Sequence, residues 1–361
     1  MKSIAILVDN APARIERVTK IADSLGKEGN DVIVIYPRPL DALDRYRRLG
    51  IPCIRRPAIL QYVTFGMGVF IALLLLRRRI IHFVNHPDYL IPLLCIACKI
   101  GGHKLVYDRR VDFSEVVARS HPGSARIARL FEHLGYRCAK AIIIVVPSFA
   151  VRLTRYKEKV ALVPNGVDLT MFRRVDAPHP KFTVICVAAL TESEGVDVFV
   201  KAASKVRERD RSVEFKVVGD GELMASLTKL SHELGDPVEF LGWIPHRDVP
   251  ALLASSDICV SSVMPLSYSE VAYPVKLFEY FAAGKPSIIS NVVGHLELAK
   301  DGQDVVVYDA KDPDDLAAKI LDLKGNPDLR KELSENGWLI AKRYSWDEAF
   351  HTLIGIYEQL S

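Results

Sequence analysis

Short apolar runs rich in β-branched residues recur along the chain, each followed by a longer segment, and this alternation restricts the fold more than any other feature. Residues 3–8, 31–36, 80–84, 104–107 and 141–146 have the length of buried strands, and residues 16–29 carry apolar groups at helical spacing. Strands that read apolar on both faces belong in a parallel sheet whose crossovers are helices. A proline-rich polar stretch ending at Asp176-Ala-Pro-His-Pro180 then interrupts the pattern. A second series follows at residues 182–188, 213–218, 238–241, 258–261, 287–290 and 305–308, with helix predicted over 328–359. At 361 residues the chain exceeds one ordinary core, so two parallel-sheet domains are expected.

The stretch from Ser267 to Pro286 carries the most chemistry. Pro274 suits the first position of a helix, because its missing N–H would be unpaired there anyway, and Gly284 can take the left-handed conformation that stops one. The free amides at such a start attract an anion, and Lys276 in the first turn adds a full charge. Glu279 sits among Leu277, Phe278 and Phe281, where a carboxylate needs a donor, and sugar or ribose hydroxyls would supply one. On these features alone the segment fits either a buried structural helix or one that holds a ligand.

The same segment lies in series with Pro164-Asn165-Gly166-Val167-Asp168, Phe172, Val218-Gly219-Asp220-Gly221-Glu222 and Phe240-Leu241-Gly242-Trp243. In this order and spacing the chain resembles the retaining glycosyltransferases of family 4, over nearly its whole length and most strongly from about Val160 onward. The resemblance implies an α/β protein of GT-B architecture, with two Rossmann-like parallel-sheet domains facing across a cleft. Residues 1–167 would bind the acceptor, residues 168–341 the donor, and residues 342–361 would pack back on the first domain. It implies a UDP- or GDP-linked sugar as donor substrate, with no cofactor. Glu270 would touch the transferred sugar and Glu279 the ribose. Lys276, Pro274, Leu277, Gly219, Gly221, Trp243 and Ile244 would surround the donor, although Trp243 also reads as a core aromatic.

Ligands of open parallel sheets lie at the carboxyl ends of the strands. In the first half this selects Asp9, Asn10 and Arg14 after the first strand, His86 after residues 80–84, and Asp108, Arg109 and Arg110 after residues 104–107. Glu270, Asp108 and His86 are the expected catalytic group, and the others face the acceptor. His86 equally reads as a strand cap. The chain departs from the family pattern at several points. Arg110 stands where a histidine is usual, Asn10-Ala11-Pro12-Ala13 replaces a Gly-Gly loop, and the two glutamates are one residue further apart. Ala189 and Glu194 occupy positions that usually hold an arginine and a lysine for the donor diphosphate, so Lys276, its helix start or Arg14 would have to compensate.

Charge is uneven. Residues 1–165 hold 27 Lys+Arg against 13 Asp+Glu, a net +14, and the remainder is −10. Residues 62–76 are almost wholly apolar and end in Arg77-Arg78-Arg79. The run is shorter than the roughly 20 residues that cross a bilayer. It therefore reads as a buried helix or as one dipping into an anionic membrane surface, and the adjacency of apolar and basic blocks favours the second. No nucleic-acid-binding signature accompanies the arginines. The six cysteines are irregularly spaced in apolar surroundings, as small hydrophobes in a reducing compartment are, and Cys95-x-x-Cys98 lacks the remaining ligands of a metal site. Asp312-Pro313-Asp314 resembles a metal motif but precedes a helical run and reads as a cap; no metal is expected.

These readings converge on a metal-independent hexosyltransferase that passes a sugar from a nucleotide diphosphate to a lipid-linked or other glycan acceptor, with retention. Its expected location is cytoplasmic, at the inner face of the cell membrane, with no nucleic-acid partner. A non-catalytic relative acting as a partner subunit remains open because of Ala189 and Glu194. A dinucleotide-dependent oxidoreductase lacks the G-x-G-x-x-G that its first strand would need.

Overall fold

The computed structural model describes residues 2–8, 16–37, 47–54, 58–84, 88–110, 113–266 and 273–360. The chain divides into two compact units, Met1–Pro164 with Ala349–Ser361, and Asn165–Glu348.

The first unit carries a seven-stranded parallel sheet: β1 (Ser3–Leu7), β2 (Asp31–Pro37), β3 (Arg47–Ile51), β4 (Ile80–Val84), β5 (Lys104–Arg109), β6 (Ala141–Ile144) and β7 (Val160–Leu162), in the order β3-β2-β1-β4-β5-β6-β7. Helices α1 (Glu16–Lys27), α2 (Ala58–Leu75), α3 (Ile91–Gly101), α4 (Phe113–Ser120) and α5 (Ala125–Cys138) connect or flank the strands. All but the last residue of the apolar run at 62–76 falls in α2, whose inner residues Phe65, Val69 and Leu73 are buried against the sheet. Among the described residues no helix is long and apolar enough to cross a membrane.

The second unit holds six parallel strands, β8 (Phe182–Val187), β9 (Val213–Val218), β10 (Glu239–Phe240), β11 (Ile258–Ser261), β12 (Ser287–Ser290) and β13 (Val306–Tyr308), ordered β10-β9-β8-β11-β12-β13. Helices α6 (Val196–Arg209), α7 (Met224–Glu233), α8 (Val249–Ala254), α9 (Val275–Ala282), α10 (Val293–Leu298), α11 (Pro313–Gly325) and α12 (Pro327–Arg343) complete it. Each sheet starts in its interior, places the next strands on one side and then reverses, which creates a switch point beside β1 and another beside β8. Both units are Rossmann-like, of the kind that builds the GT-B architecture.

The strand positions follow the apolar runs closely, and three details differ. The helix expected over 328–359 is two, α12 and α13 (Trp346–Gln359), because Ser345 accepts the Glu348 N–H at 3.3 Å and starts a new helix. β3 and β7 add an edge strand at each side of the first sheet; β3 includes two arginines and a glycine, a pattern that hides it from hydropathy. β5 runs two residues beyond the apolar run, so Asp108 and Arg109 belong to the strand itself.

Candidate active site

A cavity of about 480 Å³ opens at the carboxyl ends of β8 and β9, at the switch point of the second unit. Val187, Ala188 and Ala189 leave β8 along one wall, and Val218, Gly219 and Asp220 leave β9 beside them. Trp243, Ile244 and His246 form another side, and Pro274, Val275 and Lys276 bring the start of α9. Trp243 is 71% exposed, so it is a wall residue and not a core aromatic.

α9 is held by its own apolar side. Leu277, Phe278, Tyr280 and Phe281 are buried, and Tyr280 Oη accepts the Val187 N–H at 2.9 Å, tying the helix to the end of β8. Gly284, at φ +69°, follows its last turn as the sequence requires. Pro274 is the residue before the helix and not its first member, with its carbonyl accepting from Leu277 N–H. Leu277 faces the interior and is absent from the cavity wall, which corrects its placement at the donor: the helix turns it toward the core.

The glycines serve the chain's own backbone. A Cβ on Gly219, at φ +134°, would stand 1.8 Å from the Ala188 carbonyl oxygen, and one on Gly221 would stand 2.5 Å from that of Leu190. The turns after β8 and β9 are thus packed against each other, and this gives the cavity its floor. Gly219 lines it; Gly221 does not.

Charges in the cavity are already partnered. Lys276 Nζ forms an ion pair with Glu194, both largely shielded from solvent. The glutamate at a position usually given to a cation therefore neutralises the lysine expected to compensate for it. Glu279, expected at the donor, does not line the cavity; its side chain is only 9% exposed and has a protein donor in His246, which does line it, with Nε2 2.7 Å from Oε1 and the imidazole N–H donating to the carboxylate. Phe172 packs its ring 5.4 Å from that imidazole. His246 was invisible to sequence reasoning because 33 positions separate it from Glu279; its closeness to Trp243 was the available signal. Behind α9, His295 is fully buried between Ser261 Oγ at 3.1 Å and the Ser290 carbonyl, which accepts from Nδ1 at 2.9 Å. Burial lowers its pKa to about 4, with Lys276 adding to the effect, so it is neutral in the physiological range.

The first-unit residues are arranged differently from expectation. Asp9, Asn10, Arg14, His86 and Glu270 lie outside the described residues. Asp108 is fully buried, with Arg17 Nε at 2.9 Å and His82 Nε2 at 3.2 Å, and His82 Nδ1 is 2.5 Å from Tyr357 Oη. Burial alone would raise the Asp108 pKa, but the charge of Arg17 and the contact with His82 reverse this and hold it well below the usual carboxylate range. Arg17 also donates to the carbonyls of Val163 and Pro164. Asp108 thus joins β5 to α1, to the segment after β7 and to α13. Arg109 is 2% exposed, with its guanidinium 4.4 Å over the Phe149 ring. Asp108 was expected in the catalytic group and Arg109 toward the acceptor, and both are instead buried: β5 is an interior strand covered on both faces, so successive side chains are shielded. Arg110 follows the strand and is half-buried.

Asp312 caps α11, accepting the Asp314 and Asp315 N–H groups at 2.8 and 3.1 Å, while Asp314 pairs with Lys205. Burial raises the thiols of Cys95 and Cys98, the latter to about 12, which keeps both protonated.

Two doubly wound sheets with a cavity at the second switch point, entered by a helix start, a lysine and an exposed tryptophan, define a ligand-binding α/β protein. The Glycosyltransferase Family 4 model matches residues 16–171 and the Glycosyl transferases group 1 model matches residues 181–326; the chain belongs to this glycosyltransferase family. An uncharacterized glycosyltransferase of Methanocaldococcus jannaschii is 32% identical over 212 residues, which cover 57% of this chain and 55% of its own. The GDP-mannose-dependent alpha-(1-6)-phosphatidylinositol monomannoside mannosyltransferase of Mycobacterium tuberculosis is 28% identical over 204 residues, 51% of this chain and 52% of its own. The chain spans about half the length of these curated relatives. Among solved structures, Anabaena HepE in complex with UDP has a TM-score of 0.79 at 16% identity, covering 99% of this chain and all of the other, a likeness of fold.

Proposed function

We propose that the protein transfers a hexose-type sugar, with retention, from a UDP- or GDP-linked donor bound in the second-unit cavity to a lipid-linked acceptor at a membrane surface. The observation that carries this is the convergence of Lys276, the first amides of α9 and the Trp243 wall on one cavity at the switch point. There the diphosphate would meet a cation and a helix start, and the base would lie against Trp243 and Ile244. As the leaving diphosphate gains charge, preorganised donors favour the transition state more than the ground state. Glu279, oriented by His246, would accept from the ribose hydroxyls. The UDP complex of HepE and the lipid acceptor in the name of the mycobacterial relative support the reading.

Calorimetric titration with UDP and GDP tests it. Lys276→Ala should weaken binding about tenfold or more, the loss of a charged hydrogen bond of roughly 1.5–3 kcal/mol, and Glu279→Ala should abolish transfer. No heat with either nucleotide at saturation would overturn the donor assignment. The Lys276–Glu194 pair favours one second reading, a non-catalytic partner subunit; thermal stabilisation by neither nucleotide would select it.

A further inference from the structure

We propose that a second cavity, between α2, α3, α4 and α5 of the first unit, holds the hydrocarbon chain of the lipid-linked acceptor; this rests on the membrane-surface reading above. The cavity measures about 840 Å³, within the range of small-molecule sites. Its walls are apolar and aromatic, including Tyr62, Met67, Tyr89, Leu93, Phe113 and Phe131. Three of the rings are linked edge to face, Tyr62 to Tyr89 at 4.6 Å and Tyr89 to Phe113 at 5.5 Å, and so present a preformed surface.

The occupant follows from what surrounds the opening. Leu60, Val63, Met67, Ile71 and Leu74 are exposed and recur every three or four residues, which places them on one outward face of α2. Val63 and Met67 belong both to this face and to the cavity wall. On α5, Ile127 lines the cavity and is exposed too, beside exposed Leu130. An apolar path therefore runs from the surface inward. On α5 its border is basic, with Arg126 and Arg129 exposed beside the lining residues Ile127 and Ala128, and Arg77 and Arg78 add exposed cations beyond the far end of α2. Cations around an apolar entrance complement a molecule with a phosphate head and a long hydrocarbon tail in an anionic bilayer. His121 and Ser124 place polar groups on the cavity lining, both exposed.

The test is photolabelling of the full chain by a diazirine-bearing farnesyl phosphate in phosphatidylcholine vesicles, with and without phosphatidylglycerol. Labelled peptides should include Tyr62, Tyr89, Phe113 or Phe131, and excess unlabelled farnesyl phosphate should suppress them. Ala128→Trp, which fills the cavity from a buried wall position, should cut labelling about tenfold or more. A retained melting transition shows that it folds, and Val63→Trp at the rim provides an independent variant. Labels confined to Leu60, Ile71 and Leu74 would overturn the cavity and leave only surface contact. So would vesicle flotation with no label, or a dimer dispersed by Met67→Glu with no label. Loss of both flotation and label would remove the membrane reading as well.

Discussion

Glu194 neutralises Lys276 in the wall of the cavity. A glutamate facing Lys276 competes for that cation with an incoming diphosphate. Glu194→Gln keeps the size and removes the competitor, so UDP or GDP affinity should rise about tenfold, the scale of one charged hydrogen bond. Titration calorimetry reads this directly, and equal or weaker binding would show that Glu194 does not compete. His295 supplies a pH dependence. The unfolded chain takes up its proton near the ordinary value of 6.5, whereas the folded chain holds off until about 4. Stability is therefore complete above that ordinary value and falls as the pH drops toward 4, by on the order of 3 kcal/mol. Urea unfolding across this range should show the slope and His295→Gln should flatten it; an unchanged slope would exclude the residue. A local motif singled out Lys276, Glu279 and Trp243 in the sequence; Lys276 and Trp243 line the cavity, and Glu279 reaches it only through His246. The partners of Lys276 and Glu279, respectively Glu194 and His246, stand 82 and 33 positions away and were legible only as an anomaly or not at all.

At the level of elements, local chemistry was most readable where one side chain acts on its own backbone. Asp312 looked like a cap and is one. Asp312→Ala should cost about 1 kcal/mol by exposing two amides at the start of α11, and chemical denaturation should report a lower midpoint with an unchanged slope. A neutral effect would mean that water replaces the carboxylate without loss. The start of α9 was located to within one residue and its apolar side was correct. β5 was less readable. Its last two members are charged, Asp108 and Arg109, so hydropathy ended the strand early. Their pairing with Arg17, His82 and Phe149 makes charge admissible in an interior strand.

Across the whole molecule, charge and apolar surface meet in the first unit. The net +14 of residues 1–165 predicts binding to vesicles containing phosphatidylglycerol over neutral ones. Raising the ionic strength from about 0.1 to about 1 M shortens the screening length from about 10 to about 3 Å. Flotation should therefore weaken but persist, because the exposed face of α2 contributes a part that salt does not screen. Salt-independent flotation, or equal flotation with neutral vesicles, would exclude the basic residues from binding. The apolar runs, their lengths and the breaks between them determined two parallel sheets, because burial on both faces demands that composition wherever it occurs. Tertiary structure alone decided which charges meet. An ion pair such as Lys276 with Glu194 depends on distances set by strand order and helix packing, and residues far apart in the chain carry no local mark of the partner they will face.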